Sequence, residues 1–256
     1  MSDATNGYPV DLATLHWGDP DAPLQVLIVH GLTASGAAWW RVADGLATAG
    51  WSVTAVDLRG HGVSPRTTSY SLTEHSGDLI RIRTREGGPW DLVIAHSMGG
   101  AISALTAAAH PEWTRRLLLI DPALAVPPEA REAMLGRLLS EPELEIEQYL
   151  SANPRWTSED AVQKVSARRA VSPYVIEQCV RDPGWQVEGV VAEIAVPVRI
   201  LGADHGMNPS FTPAQAERVL AANDRVSYAE VVGAPHAMYR DDPQRIVDEA
   251  LAFAAG

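Results

Sequence analysis

Asp91-Leu-Val-Ile-Ala-His-Ser-Met-Gly-Gly100 is the stretch from which the fold can be read. Residues 92–95 form a short apolar run of the kind a buried strand makes. Ser97 and two glycines follow, and then an alanine-rich run over 101–109 with helical character. A serine in a sharp turn between strand and helix is the context that lifts a nucleophile above the edge of a sheet. Strand and helix approach closely at such a turn, so only small side chains fit two residues before and two residues after the serine. Ala95 and Gly99 meet that demand, in the pattern A-x-S-x-G-G. A serine merely packed in a turn is the competing reading, and the rest of the chain decides between them.

Working outward, residues 24–29 form a continuous apolar run rich in β-branched side chains, as in a central parallel strand. The run ends in His30-Gly31-Leu32-Thr33. Residues 51–56 read as the next strand and end in Asp57-Leu-Arg-Gly-His-Gly-Val-Ser64. Residues 115–120 run into Asp121-Pro122, 197–202 into Ala203-Asp204-His205-Gly206, and 226–232 into Gly233-Ala-Pro-His236. Residues 11–17 suit an edge strand. Helical patterns fill 39–49, 71–85 and 212–221, and Asp242-Pro243 opens a terminal helix. Strands alternating with helices predict an α/β fold with a mostly parallel sheet covered on both faces. Chemistry in such sheets gathers at the carboxyl ends of strands. Ser97, Asp204 and His236 each follow a predicted strand.

From Pro122 to about Ala195 no strand-like run occurs. Short helical patterns replace it: one over 129–139, one over 143–150, one opened by Thr157-Ser-Glu-Asp, and one opened by Ser172-Pro173 and ended by Asp182-Pro-Gly184. The expected organisation is a core formed by residues 1–121 and 196–256, with residues 122–195 inserted as a helical cap.

The A-x-S-x-G-G turn, the H-G-x loop, the D-x-R-G-x-G-x-S run (Asp57 to Ser64) and the order Ser97…Asp204…His236 together resemble the α/β-hydrolase superfamily, in its small capped branch. The resemblance runs from about Leu24 to the C-terminus, with the cap matching only in position and helical character. It implies an α/β-hydrolase fold and a serine hydrolase. Ser97 would be the nucleophile, His236 the base and Asp204 the acid. The backbone N–H groups of Leu32 and Met98 would hold the oxyanion. It gives His61 a loop role, and His30 reads as a structural loop histidine. Asp121 is the alternative acid, because some members carry the acid after that earlier strand; the Gly202-Ala-Asp204 spacing is one residue shorter than the common pattern. Gly31, Trp39, Trp156 and Trp185 are candidate pocket residues, with packing as the alternative for each tryptophan. Tyr149 and Tyr174 of the cap stand in the same position. The implied substrate is an ester or lactone of a small, partly apolar molecule, cleaved through an acyl-enzyme. Carbon–carbon hydrolysis of a diketone is an alternative, and so is a small-molecule receptor that keeps the triad.

Composition sets the outer bounds. The chain has 256 residues, 46% hydrophobic and 20% charged, as in a globular protein with one large core. Its net charge of −12 disfavours nucleic acid and anionic lipid as partners. Cys179 is the single cysteine, so no intramolecular disulfide forms. No basic-then-apolar leader is seen over 1–11, and no apolar run reaches the ~20 residues of a membrane span, so a cytoplasmic protein is expected. No metal cluster, phosphate loop or dinucleotide fingerprint appears, so neither metal nor cofactor is expected.

Overall fold

The structure, a computed structural model, describes residues 8–142 and 144–256. Its strands are β1 (Thr14–Trp17), β2 (Gln25–Val29), β3 (Ser52–Val56), β4 (Leu92–His96), β5 (Leu117–Ile120), β6 (Val198–Ala203) and β7 (Val226–Val231). They form one sheet in the order β1-β3-β2-β4-β5-β6-β7. β1 pairs antiparallel with β3, and every other pairing is parallel. Strand order reverses between β2 and β4, which are paired Val26 to Leu92 through Val29 to Ala95. That reversal opens a crevice at the carboxyl ends of β2 and β4, where ligands bind in open α/β sheets.

The helices are α1 (Trp40–Thr48), α2 (Leu72–Leu79), α3 (Met98–Ala109), α4 (Pro128–Ser140), α5 (Ile146–Ala152), α6 (Ser158–Ala170), α7 (Pro173–Arg181), α8 (Pro213–Ala222), α9 (Met238–Asp241) and α10 (Pro243–Ala255). Alternate strand residues go to opposite faces of the sheet. Leu27, Val29, Val93, Leu117 and Leu119 share one apolar cluster with Leu72 and Leu79 of α2 and Ile102 of α3. Val26, Ile28, Leu92, Ile94 and Leu118 share the other with Val42 and Leu46 of α1 and Ile246 of α10. These strand side chains are fully buried, each contributing about 1.5–3 kcal/mol relative to exposure.

Between β5 and β6 stand α4 to α7 and a short 3-10 segment, Glu188–Glu193. Leu135 of α4 and Val175, Ile176 and Val180 of α7 belong to the main core. The α5–α6 pair has a small core of its own, made of Tyr149, Ala161 and Val165, with Trp156 against it. The predicted second helix of this segment started at Glu143, which lies outside the described residues; α5 begins at Ile146.

Two expected helices are shorter than their patterns. The 71–85 pattern gives only α2, closed at its start by the reciprocal Ser71–Glu74 capping box. Past Leu79 the chain tightens into turns, with Arg81 N–H on Asp78 O and Ile82 N–H on Leu79 O. The arginines that continued the pattern instead pair outward, Arg81 with Asp11 and Arg85 with Asp21. At 39–49, a 3-10 turn over Gly36–Trp39 precedes α1. No helix of the described residues is long and apolar enough to cross a membrane.

Candidate active site

Ser97 stands between β4 and α3 at φ 53° and ψ −121°, a conformation that costs an L residue energy and persists only where its surroundings fix it. Here its N–H donates to Ile120 O at 3.2 Å, and its carbonyl accepts from Ala123 N at 3.1 Å and Ala101 N at 3.2 Å. The demand for small neighbours is visible in the geometry. A Cβ on Gly99 would lie 2.3 Å from His30 O and 2.7 Å from Val29 O. A Cβ on Gly31 would lie 2.9 Å from Ser97 Cβ and 3.0 Å from His96 Nδ1. The loop after β2 therefore lies against the serine. Among the described residues, the backbone N–H groups of Leu32 and Met98 donate to no protein acceptor. Met98 opens α3, where such N–H groups lack an intrahelical partner.

The imidazole of His236, 38% exposed, donates from Nδ1 to Asp121 Oδ2 at 2.5 Å. Asp121 is fully buried at the end of β5, with φ 38°. Three backbone N–H groups hold its carboxylate: Ala203 at 3.3 Å and Phe211 at 3.1 Å on Oδ1, and Ser210 at 2.9 Å on Oδ2. Hydrogen bonds of this kind hold a buried carboxylate in place and aimed. With Nδ1 carrying the proton, Nε2 is the basic nitrogen of the neutral ring.

Asp204 does not take the place expected of it. Its carboxylate lies at the surface and accepts from Gly233 N at 2.6 Å and Gly206 N at 2.7 Å. These bonds, Gly233 first, hold its carboxyl below the usual carboxylate range. Asp204 N in turn donates to Ala234 O at 2.9 Å. Asp204 thus clasps the β7 loop that carries His236, and the expected Asp204–His236 pair is corrected to Asp121–His236. The physical reason is reach: the Asp204 side chain caps its own turn and points outward, whereas Asp121 sits under the histidine.

The remaining histidines of the site are structural. His30 donates from Nδ1 to Gly31 O at 2.7 Å and accepts from Leu58 N at 3.0 Å on Nε2. Burial pushes it down to about 4. His61 donates to Arg59 O, and burial takes it to about 3. In the loop around it, Asp57 accepts from Gly36 N and Val63 N, and Arg59 is buried in a two-bond pair with Asp78. Every one of these contacts is structural.

Of the candidate pocket residues, Trp39 is fully buried and stacks on Tyr239 at 4.1 Å. Trp185 is also fully buried, its indole N–H donating to Ala123 O at 2.6 Å, and it belongs to the main core. Trp156 precedes α6 and donates to Asp241 Oδ2 at 3.3 Å. Tyr149 stacks beside Trp156, while Tyr174 is half exposed and donates to Thr68 O. No group of three metal-ligating side chains gathers among the described residues.

Residues 25–168 match the family model for the alpha/beta hydrolase fold. The chain belongs to this α/β-hydrolase family. Within it, the chain is 32% identical to the lipase LipV of Mycobacterium tuberculosis over 134 residues, 52% of this chain and 50% of that one. It is 25% identical to a serine hydrolase-like protein of Dictyostelium discoideum over 68% of this chain and 54% of the relative. The chain thus spans about half the length of these curated relatives. Among solved structures, the enol-lactonase of Burkholderia xenovorans superposes with a TM-score of 0.78 at 19% identity, covering 96% of each chain. A bromoperoxidase of Bacillus anthracis superposes at 0.79 and 15% identity, covering 98% of each. At these identities the likeness is one of fold.

Two residues packed around Ser97 and His236 escaped the sequence reading. His96, directly before Ser97, donates from Nε2 to His236 O at 2.9 Å, and the two rings lie 4.5 Å apart. Its burial, and next the charge of His236, lower it well below the ordinary histidine value, so it stays neutral. Tyr239 packs against the same ring at 5.1 Å. The available signal was a histidine in a strand that otherwise reads as apolar.

Proposed function

We propose that the protein is a serine hydrolase that cleaves an ester or lactone of a small, partly apolar molecule through an acyl-enzyme, with Ser97, His236 and Asp121 as its triad. The carrying observation is the 2.5 Å bond from His236 Nδ1 to buried Asp121, on the same sheet edge as the strained Ser97 turn. That bond fixes the tautomer with Nε2 free to accept a proton, and it favours the imidazolium formed when it does.

In the first half-reaction Ser97 Oγ bonds to the substrate carbonyl carbon while His236 Nε2 takes the hydroxyl proton. The carbonyl oxygen becomes an alkoxide, for which the N–H groups of Leu32 and Met98 are the donors. Collapse expels the leaving alkoxide, which receives the proton from His236. Water then attacks the acyl-enzyme by the same route, with His236 as base, and releases the acid. The helical segment 122–195 acts as a cap that limits water and shapes the substrate space. Family membership and the hydrolase names of its relatives support this reading.

The test combines labelling and turnover. The purified protein should react with a fluorophosphonate at Ser97, located by peptide mass spectrometry, and should hydrolyse p-nitrophenyl esters. Ser97→Ala should lose the label and roughly 10³-fold or more of the turnover. Labelling elsewhere, or near-normal turnover by Ser97→Ala, would overturn the proposal.

A further inference from the structure

His96 is the last residue of β4 and is buried. Its ring shares a face of the sheet with Ile94 rather than with Ala95. Trp39 lies 6.2 Å from it, Tyr239 5.1 Å and the His236 ring 4.5 Å. A Cβ on Gly31 would stand 3.0 Å from its Nδ1. Nε2 lies 2.9 Å from His236 O. A carbonyl oxygen only accepts, so Nε2 carries the proton and Nδ1 keeps the lone pair. That Nδ1 is buried without a hydrogen-bond partner. A leucine would fill the same apolar surroundings without the cost of an unmet buried acceptor. What the imidazole supplies and a leucine lacks is an N–H directed at His236 O.

That carbonyl has no other donor among the described residues. Where α9 begins, Arg240 N donates to Ala237 O at 2.9 Å and Asp242 N to Met238 O at 2.8 Å, so neither reaches back to His236 O. The base is therefore held from the ends of three neighbouring strands. Asp121, after β5, takes the ring Nδ1–H at 2.5 Å. Asp204, after β6, holds the loop through Gly233 N at 2.6 Å. His96, at the end of β4, holds the backbone of His236 itself. His96 also pairs in register with Ile120, the residue before Asp121, and it directly precedes Ser97. Its bond ties the backbone of the base to the strand end that presents the nucleophile.

We propose that His96 is a positioning residue whose Nε2–H, bonded to His236 O, sets where the base stands relative to Ser97. This rests on the serine hydrolase reading, and part of the test below is independent of it. The role needs a neutral ring, because a second cation 4.5 Å away would oppose the imidazolium that forms on His236. Burial, and next the charge of His236, keep His96 neutral. His96→Leu retains the apolar contacts and removes the donor, whereas His96→Gln carries an amide N–H at a similar reach. In p-nitrophenyl ester assays His96→Leu should lose roughly 10²-fold in kcat, the order a small misplacement costs, with KM within about threefold. His96→Gln should recover most of that loss. A role in packing alone predicts the reverse order, since Leu keeps an apolar contact and Gln buries an amide. Leu equal to or better than Gln, both near wild type, or KM moving as far as kcat overturns the inference while leaving the serine mechanism in place.

Two further measurements need no turnover. In the wild-type protein labelled with nitrogen-15 histidine, long-range NMR couplings show which ring nitrogen carries the proton. His96 should be neutral with its proton on Nε2 near neutral pH. A proton on Nδ1 instead, or a charged ring, overturns the inference whether or not the variants fold. Hydrogen exchange, followed by mass spectrometry, reads the tether to the base. Peptides covering the loop from Gly233 to Met238 should exchange faster in His96→Leu than in wild type, and at close to the wild-type rate in His96→Gln. Failure of Ser97 to label or turn over would sink the hydrolase reading alone, and these measurements would still decide whether His96 holds His236. Equal exchange in wild type and His96→Leu overturns the inference.

Discussion

Asp121 and Asp204 close neighbouring parallel strands, and His236 bonds to only one of them: Nδ1 donates to Asp121 Oδ2 at 2.5 Å, while the Asp204 carboxylate accepts from Gly206 and Gly233. The two acids do different work on the same histidine. Asp121 acts on its ring, and Asp204 acts on the loop that carries it. Replacing Asp204 by Ala should therefore free Gly233 and loosen that loop. The expected outcome is a Tm lowered by a few degrees and turnover within roughly tenfold of wild type. Steady-state kinetics with a thermal melt checks both; a loss of many hundredfold would return the acid role to Asp204.

The closeness of β2 and α3 makes a second test. Gly99→Ala would press a methyl group 2.3 Å from His30 O and 2.7 Å from Val29 O. Backbone atoms cannot swing aside, so the cost should reach at least the 1–3 kcal/mol typical of overpacking, about. Gly136, inside α4, has nothing within 4 Å of its added Cβ. Gly136→Ala should instead stabilise by roughly 0.5–1 kcal/mol, the helix preference of Ala over Gly. Denaturant midpoints for both variants decide it, and equal effects would contradict the account of the turn.

A third concerns pH. His30, His61, His75 and His96 are all buried, and burial lowers each, to about 4 for His30 and about 3 for His61. The unfolded chain, with histidines near the ordinary value of about 6.5, binds protons that the folded chain refuses. Stability from these groups is thus complete above about pH 6.5 and falls as pH drops below it, until the folded values are reached. Each histidine contributes up to about 1.4 kcal/mol per pH unit in that window. Unfolding free energies at pH 7.5 and 5.5 should differ accordingly. His61→Asn, which keeps a donor for Arg59 O, should shrink the difference; identical stabilities at the two pH values would contradict it.

What could be read from the sequence follows from which signals are local. The Ser97 turn was legible because Ala95, Gly99 and the flanking strand and helix all lie within one short stretch, and a tight approach leaves a mark in small residues. The sheet was legible because β2 to β6 are almost wholly buried and read as apolar runs. The acid was not, since Asp121 and Asp204 both follow strands and sequence spacing does not tell which side chain turns inward. That choice depends on Ala203, Ser210 and Phe211 presenting their N–H groups to Asp121, a convergence of segments distant in the chain. Trp185 reads the same in sequence whether it lines a cavity or fills a core; its bond to Ala123 O puts it in the core.

The central claim is that Ser97 acts through a histidine held by Asp121, and the most direct measurement compares Asp121→Asn with Asp204→Asn in one ester assay at one pH. Asn at 121 can present an N–H to His236 Nδ1 and hold the wrong tautomer, an exchange that costs on the order of 10⁴-fold in a serine protease triad. The account predicts a loss of that order for Asp121→Asn, with folding intact by circular dichroism, and a loss of roughly tenfold or less for Asp204→Asn. A severe loss in Asp204→Asn with Asp121→Asn near wild type would contradict it.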